Sequence, residues 1–158
     1  MMKRASTIFL QSVIVLRGLM TLVILIRFPL YEGRNINATL SQVYLQDPFL
    51  AYMYIAFISI FVAYYQAFIF LNYVRKNTVF SIEAVSAVRR IKYCAMTFIG
   101  FMLGAEAYFF IVMRGKDDIA GGVMMGLIVI LVSTVVATAT GIFECILQRG
   151  IEFKSEND

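Results

Sequence analysis

The sequence predicts an all-α protein, a four-transmembrane-helix antiparallel bundle with both termini cytosolic, and three observations carry that prediction. Of its 158 residues, 61% are hydrophobic and 15% charged, with a mean hydropathy of +0.81. Soluble domains run at about 45–50% apolar and about 25% charged, so this composition is that of an integral membrane protein. The apolar residues fall into four stretches, each long enough to cross a hydrocarbon core of about 30 Å at about 1.5 Å per helical residue. The basic residues collect on one side of those stretches.

Span one covers about residues 8–30. Lys3 and Arg4 precede an apolar run, as in a signal peptide, but Arg17 interrupts it and no small-x-small cleavage site follows. The segment is therefore read as an uncleaved span that Pro29 ends. Residues 31–48 form the external loop, an extended polar stretch with Glu32, Arg34, Asn35, Asn37, Ser41, Gln42 and Asp47. Its Asn37-Ala38-Thr39 triplet has the form of a glycosylation sequon, a pattern frequent by chance, and carries no weight. Asp47-Pro48 offers an N-cap followed by proline at the first helical position, and opens span two at 49–74.

Residues 75–92 make the hairpin around which the chain is organised. Arg75 and Lys76 stop span two, and Ser81 is placed to cap a new helix with Glu83 near the positive end of its dipole. Phe80 and Val85 have the spacing of a hydrophobic staple. The third helix is thus expected to start in water. Ile82, Val85, Val88 and Ile91 recur every three residues on one face, while Arg89, Arg90 and Lys92 crowd the point of entry into the bilayer. Span three follows at 93–113. A short turn at 114–118 leads into span four at 119–147, with Asp117 and Asp118 at its start, and the polar tail 148–158 leaves the membrane.

Four spans put both termini on one side, and charge decides which. With the termini inside, nine basic residues lie there (Lys3, Arg4, Arg75, Lys76, Arg89, Arg90, Lys92, Arg149, Lys154) against three outside (Arg34, Arg114, Lys116). The positive-inside rule then sets the orientation as N-in and C-in. It also accounts for the net charge of +4 without any direct binding of nucleic acid. Cys94 and Cys145 fall near the reducing face and are read as buried thiols rather than a disulfide, with lipidation the alternative.

Gly100 and Gly104 in span three, and Gly122 and Gly126 in span four, form G-x-x-x-G motifs, and Ser133, Ala137 and Gly141 extend the small stripe along span four. They predict that spans three and four touch along their backbones, a homodimer being the alternative. Arg17, Arg27, Glu106 and Glu144 lie within spans, where a central charge costs about 2.5–3.5 kcal/mol even on the mildest scale. Glu106 is expected roughly 20 Å deep, with Arg17 and Arg27 near 13 Å and 28 Å. If the glycines face span four, Glu106 faces elsewhere and meets Arg17, Arg27 or Gln66. Glu144 either snorkels to the inner interface or pairs with Arg17. These groups form a structural polar knot, or else line a small site for a ligand, an ion or a proton. With no histidine, no tryptophan and no nucleophile–base arrangement, the sequence offers no catalytic residue, no metal site and no cofactor site. The nine tyrosines are left as the interfacial aromatics.

Several segments carry a family likeness: Met2 to Leu10, Tyr65-Gln66-Ala67-Phe68, Phe80-Ser81, Arg90-Ile91-Lys92-Tyr93-Cys94-Ala95, and the ending Phe153-Lys154-Ser155-Glu156-Asn157-Asp158. In these the chain resembles the YoaS-like family of small bacterial membrane proteins of unknown function. It departs from that pattern in the external loop and at the end, where relatives commonly run on with a few more apolar residues. The resemblance implies a four-span bacterial inner-membrane protein whose gene often neighbours one for a small helix-turn-helix regulator. It therefore implies a non-enzymatic regulatory role, with the basic hairpin (Arg75, Lys76, Arg89, Arg90, Lys92) meeting that regulator. The bland alternative is that these cations serve the positive-inside rule and contact anionic lipid. A small-molecule or peptide sensor, or an immunity or transport accessory, remains the competing function.

Overall fold

The computed structural model describes residues 2–31, 48–113, 115 and 119–156, and every long element among them is helical. Helix α1 is Met2–Tyr31, α2 is Pro48–Arg75, α3 is Ile82–Tyr108 and continues as a π-helix over Phe109–Met113, and α4 is Ala120–Glu156. Each is long and apolar enough to cross a membrane. The polar residues expected in the external loop, with the Asp47 cap, and Arg114, Lys116, Asp117 and Asp118 of the second loop lie outside the described residues.

Two helices extend beyond the spans read from the sequence, α1 at both ends, starting at Met2 rather than residue 8, and α4 at its far end. Helix α1 runs past Pro29 to Tyr31, since proline removes its own N–H bond but does not force the turn after it to unwind. Helix α4 does not stop at Leu147 but keeps its helix through the polar tail to Glu156. At 37 residues it is roughly 55 Å long, well beyond a hydrocarbon core of about 30 Å. Its far end lies beside the start of α3, so the two helices extend together past the apolar layer.

The hairpin between α2 and α3 is built by specific backbone bonds. Thr78 N–H donates to the Tyr73 carbonyl at 2.9 Å and Asn77 N–H to Val74 at 3.2 Å, the paired bonds of a Schellman ending. That ending needs a left-handed residue, and Asn77 supplies it at φ 58°. Ser81 then caps α3 as expected, in extended conformation, its hydroxyl accepting from Ala84 N–H at 3.2 Å. Val85 packs with Val88 and Leu147, with Phe70, Val79 and Ile151 around them. Phe80 lies over Gly150 of α4, a position a Cβ would fill.

The helices pack on their neighbours in chain order, α1 on α2, α2 on α3, and α3 most extensively on α4. A second cluster of Ala56, Phe98 and Met102, bordered by Val129 and Ile130, joins α2, α3 and α4 near mid-height. Helix α1 is peripheral. It touches α2 through polar groups: Gln11 Nε2 donates to Asn72 Oδ1 at 2.9 Å, Tyr54 donates to the Leu25 carbonyl at 3.1 Å, and Thr21 and Tyr64 hydroxyls lie 3.5 Å apart. Apolar lipid offers no hydrophobic drive between helices, so such bonds and close packing hold them together. Tyr52, Tyr54 and Tyr64 thus bond between helices, a role the sequence reading did not give them.

Candidate functional site

The two buried carboxylates lie on the contact between α3 and α4, at two levels, while the buried amides Gln11 and Gln66 belong to α1 and α2. At the hairpin end Glu144 of α4 is buried, and two cations of α3 close on it. Arg89 Nε donates to Oε1 at 2.6 Å and Lys92 Nζ to Oε2 at 2.7 Å, so each carboxylate oxygen has its own charged donor. Such charge-assisted bonds are about twice as strong as neutral ones. Gly141 lies one turn from Glu144 and the stem of Lys92 runs beside it, its Cδ at an ordinary contact distance of 3.5 Å from where a Cβ would stand. Glu144 therefore neither snorkels free nor pairs with Arg17. Residues one turn apart on α3 meet it because the antiparallel helices run in register here.

Further along the same contact, Glu106 is 6% exposed and neither of its carboxylate oxygens has a hydrogen-bond partner among the described residues. Its head lies against Gly126 of α4, where an added Cβ would overlap Oε1. The expected contact with Arg17, Arg27 or Gln66 does not form. Arg17 and Arg27 are exposed on α1, two helices away, and Gln66 is buried in α2. The reason is rotational. Gly104 faces α2, where the Tyr52 hydroxyl occupies the space a Cβ would need and donates to the Phe101 carbonyl at 2.7 Å. Glu106, about 200° further round the helix, must then face α4. The angle between Gly104 and Glu106 is as expected, and the glycine faces α2 rather than α4.

The small residues are divided accordingly. Gly100 is exposed, with nothing within 4 Å of a Cβ, and takes no part in packing. A Cβ on Gly122 would lie 3.4 Å from the ring of Phe109 and one on Gly126 would overlap the Glu106 head, so α3 and α4 pack closely, with α3 side chains over these glycines. Ser133, Ala137 and Gly141 lie partly buried along that contact, and Cys145 is exposed rather than buried. Just beyond Glu106 the helix changes form: Phe109 N–H donates to both the Ala105 and Glu106 carbonyls, and a π-helix runs from Phe109 to Met113. Such bulges occur frequently at functional sites. Phe109 and Tyr108 also close on Phe49 of α2, with ring centroids 5.2 and 5.3 Å away.

Of the hairpin cations, Arg75, Lys76 and Arg90 are exposed, whereas Arg89 and Lys92 are held by Glu144. The sequence reading missed Gln11 and Asn72, and the roles of Tyr52, Tyr54 and Tyr64. Amide and hydroxyl groups inside otherwise apolar spans were the signal that could have found them.

Four apolar helices joined by interior polar contacts define a multi-pass membrane protein. The chain belongs to the family described as protein of unknown function DUF2975, which matches residues 35–158. It is also 37% identical to the uncharacterized membrane protein YoaS of Bacillus subtilis (strain 168), over 99% of this chain and 98% of that one. No solved structure matches the chain.

Proposed function

We propose that this protein is a non-enzymatic regulatory element of the bacterial cytoplasmic membrane, N-in and C-in, in which the α3–α4 pair links a polar site in the interior to a cytosolic hairpin. The observation that carries the reading is Glu106, a buried carboxyl group with no partner among the described residues. An orphaned buried polar group is costly and marks a strain reservoir or a place for a water, an ion or a ligand group. A donor delivered to Glu106 favours the α3–α4 register that buries it, and loss of the donor disfavours that register. The same helix pair is fastened by Glu144, Arg89 and Lys92 roughly 21 Å away along α3. A shift at one level is thus felt at the other, next to the hairpin.

The partner at the hairpin is the helix-turn-helix regulator that the family likeness implies. Arg90, Lys76 and Arg75 are the exposed cations available to it, on a turn fixed by the Schellman bonds and the Ser81 cap. Arg89 is a poor probe of docking, because its replacement also opens the Glu144 cluster. The test expresses wild type, Glu106→Gln and the Lys76→Gln/Arg90→Gln double variant. It then measures co-purification of the neighbouring regulator and output from its promoter. The double variant should lose the regulator with insertion intact, and Glu106→Gln should change promoter output. Wild-type behaviour from both variants would remove the regulatory reading.

A further inference from the structure

Arg17 stands at the middle of the apolar segment Ala5–Arg27 of α1, and it is exposed there. Neither intramembrane carboxylate reaches it, since Glu144 is bound to Arg89 and Lys92 and Glu106 bonds nothing among the described residues. From mid-span a guanidinium stem does not reach either interface without thinning the bilayer, and an acidic partner would relieve the cost of holding its charge there.

The residues around Arg17 show the shape of that partner. Leu10, Val13, Arg17, Met20, Ile24 and Arg27 follow one another at alternating steps of three and four, the seam spacing of two helices in a left-handed pair. All six are exposed, the four apolar ones at 41–60%. The face of α1 that meets α2, marked by Gln11, Gly18, Thr21 and Leu25, is displaced by one residue, about 100° round the helix. Helix α2 therefore leaves the seam open. Toward the hairpin the seam runs into a shallow groove of about 560 Å³ between α1 and α2, lined by Ser6 and Leu10 on one side and Leu71 and Val74 on the other. A helix laid along the seam would rest against both.

We propose that this face docks a membrane-spanning helix of another protein, one that carries an aspartate or glutamate near its middle to pair with Arg17. A second copy of this chain is a poor occupant. Two α1 helices would set Arg17 against Arg17, and the interior carboxylates of a second copy, Glu106 and Glu144, are buried. The outward face of α4 offers Met124, Leu131 and Val135, with no acid among them. The proposal is independent of the hairpin and of the Glu106 reading.

The test reconstitutes the full chain in phosphatidylcholine vesicles with a designed single-span polyleucine helix that carries a fluorophore and one central residue: Asp, Leu or Lys. Energy transfer to an acceptor on the chain reads association. The Asp helix should half-saturate at a concentration at least ten-fold below the Leu helix, with the Lys helix no better than Leu. Arg17→Leu should abolish the preference, and Arg17→Glu should transfer it to the Lys helix, a gain that a misfolded variant would not produce. Met20→Trp, within the seam, should weaken Asp-helix association while Leu19→Trp, on another face, should not. Equal association of the Asp and Leu helices with wild type, or a preference that survives Arg17→Leu, would overturn the proposal.

Discussion

Replacing Gly126 by alanine adds a single methyl group where the head of Glu106 already stands. The new Cβ would overlap Oε1 and approach the carboxyl carbon to 2.9 Å, so the glutamate must move. Its side chain is flexible, but it is buried on a crowded helix contact, and overpacking of that kind costs about 1–3 kcal/mol. Gly100→Ala is the internal reference, because nothing lies within 4 Å of its Cβ and the only change is in helix propensity. That substitution should stabilise by up to about 1 kcal/mol. The assay is unfolding of the purified protein in mixed micelles by added dodecyl sulfate, followed by far-ultraviolet circular dichroism. A double-mutant cycle then isolates the pair: in a Glu106→Ala background, Gly126→Ala should cost almost nothing, leaving a coupling of about 1 kcal/mol or more. Additive costs, or equal effects at Gly100 and Gly126, would refute the placement of Glu106 against α4.

Other expected outcomes concern topology, charge and the turn. Reporter fusions at Gly33 and Lys116 should report the outside and one at Asn77 the inside, and a cytosolic signal from Lys116 would overturn the orientation read from the basic residues. Glu144→Gln should destabilise by about 1.5–3 kcal/mol in the same assay, the range for bonds to charged groups, since both its donors lose their counter-charge. Glu106→Gln should leave stability unchanged or raise it, because no described cation loses a partner. Asn77→Gly should be neutral, whereas Asn77→Val should cost about 1–2 kcal/mol by forcing a β-branched residue into the left-handed region.

Much of the fold was legible because it follows from local rules. Hydropathy and length fix the four spans, and the Ser81 cap follows from short-range hydrogen bonding. The family was legible too, from the hairpin and tail residues. The interior pairing was harder. Depth along a helix is read directly from residue number, but rotation about its axis depends on which face each neighbour covers. Gly104 looked like half of a motif aimed at α4, whereas it makes room for Tyr52 of α2, and Glu106 turned to α4 as a result. The cluster at Glu144 was within reach of the sequence, since Arg89 and Lys92 enter the bilayer at the matching level of the next helix. Counting those two as part of the positive-inside surface concealed it. The open seam of α1 was obscured in the same way, by assigning both arginines to an internal partner.

The central claim is that the interior around Glu106 and the hairpin are two ends of one mechanical pair, and hydrogen exchange in lipid nanodiscs tests it most directly. Exchange is followed over residues 82–92 of α3 and 144–151 of α4 in wild type and in Glu106→Gln. Removing the orphaned charge should slow exchange several-fold in both segments, which begin roughly 21 Å or more from the substitution. Changes confined to the turns next to position 106, with the hairpin segments exchanging as in wild type, would contradict it.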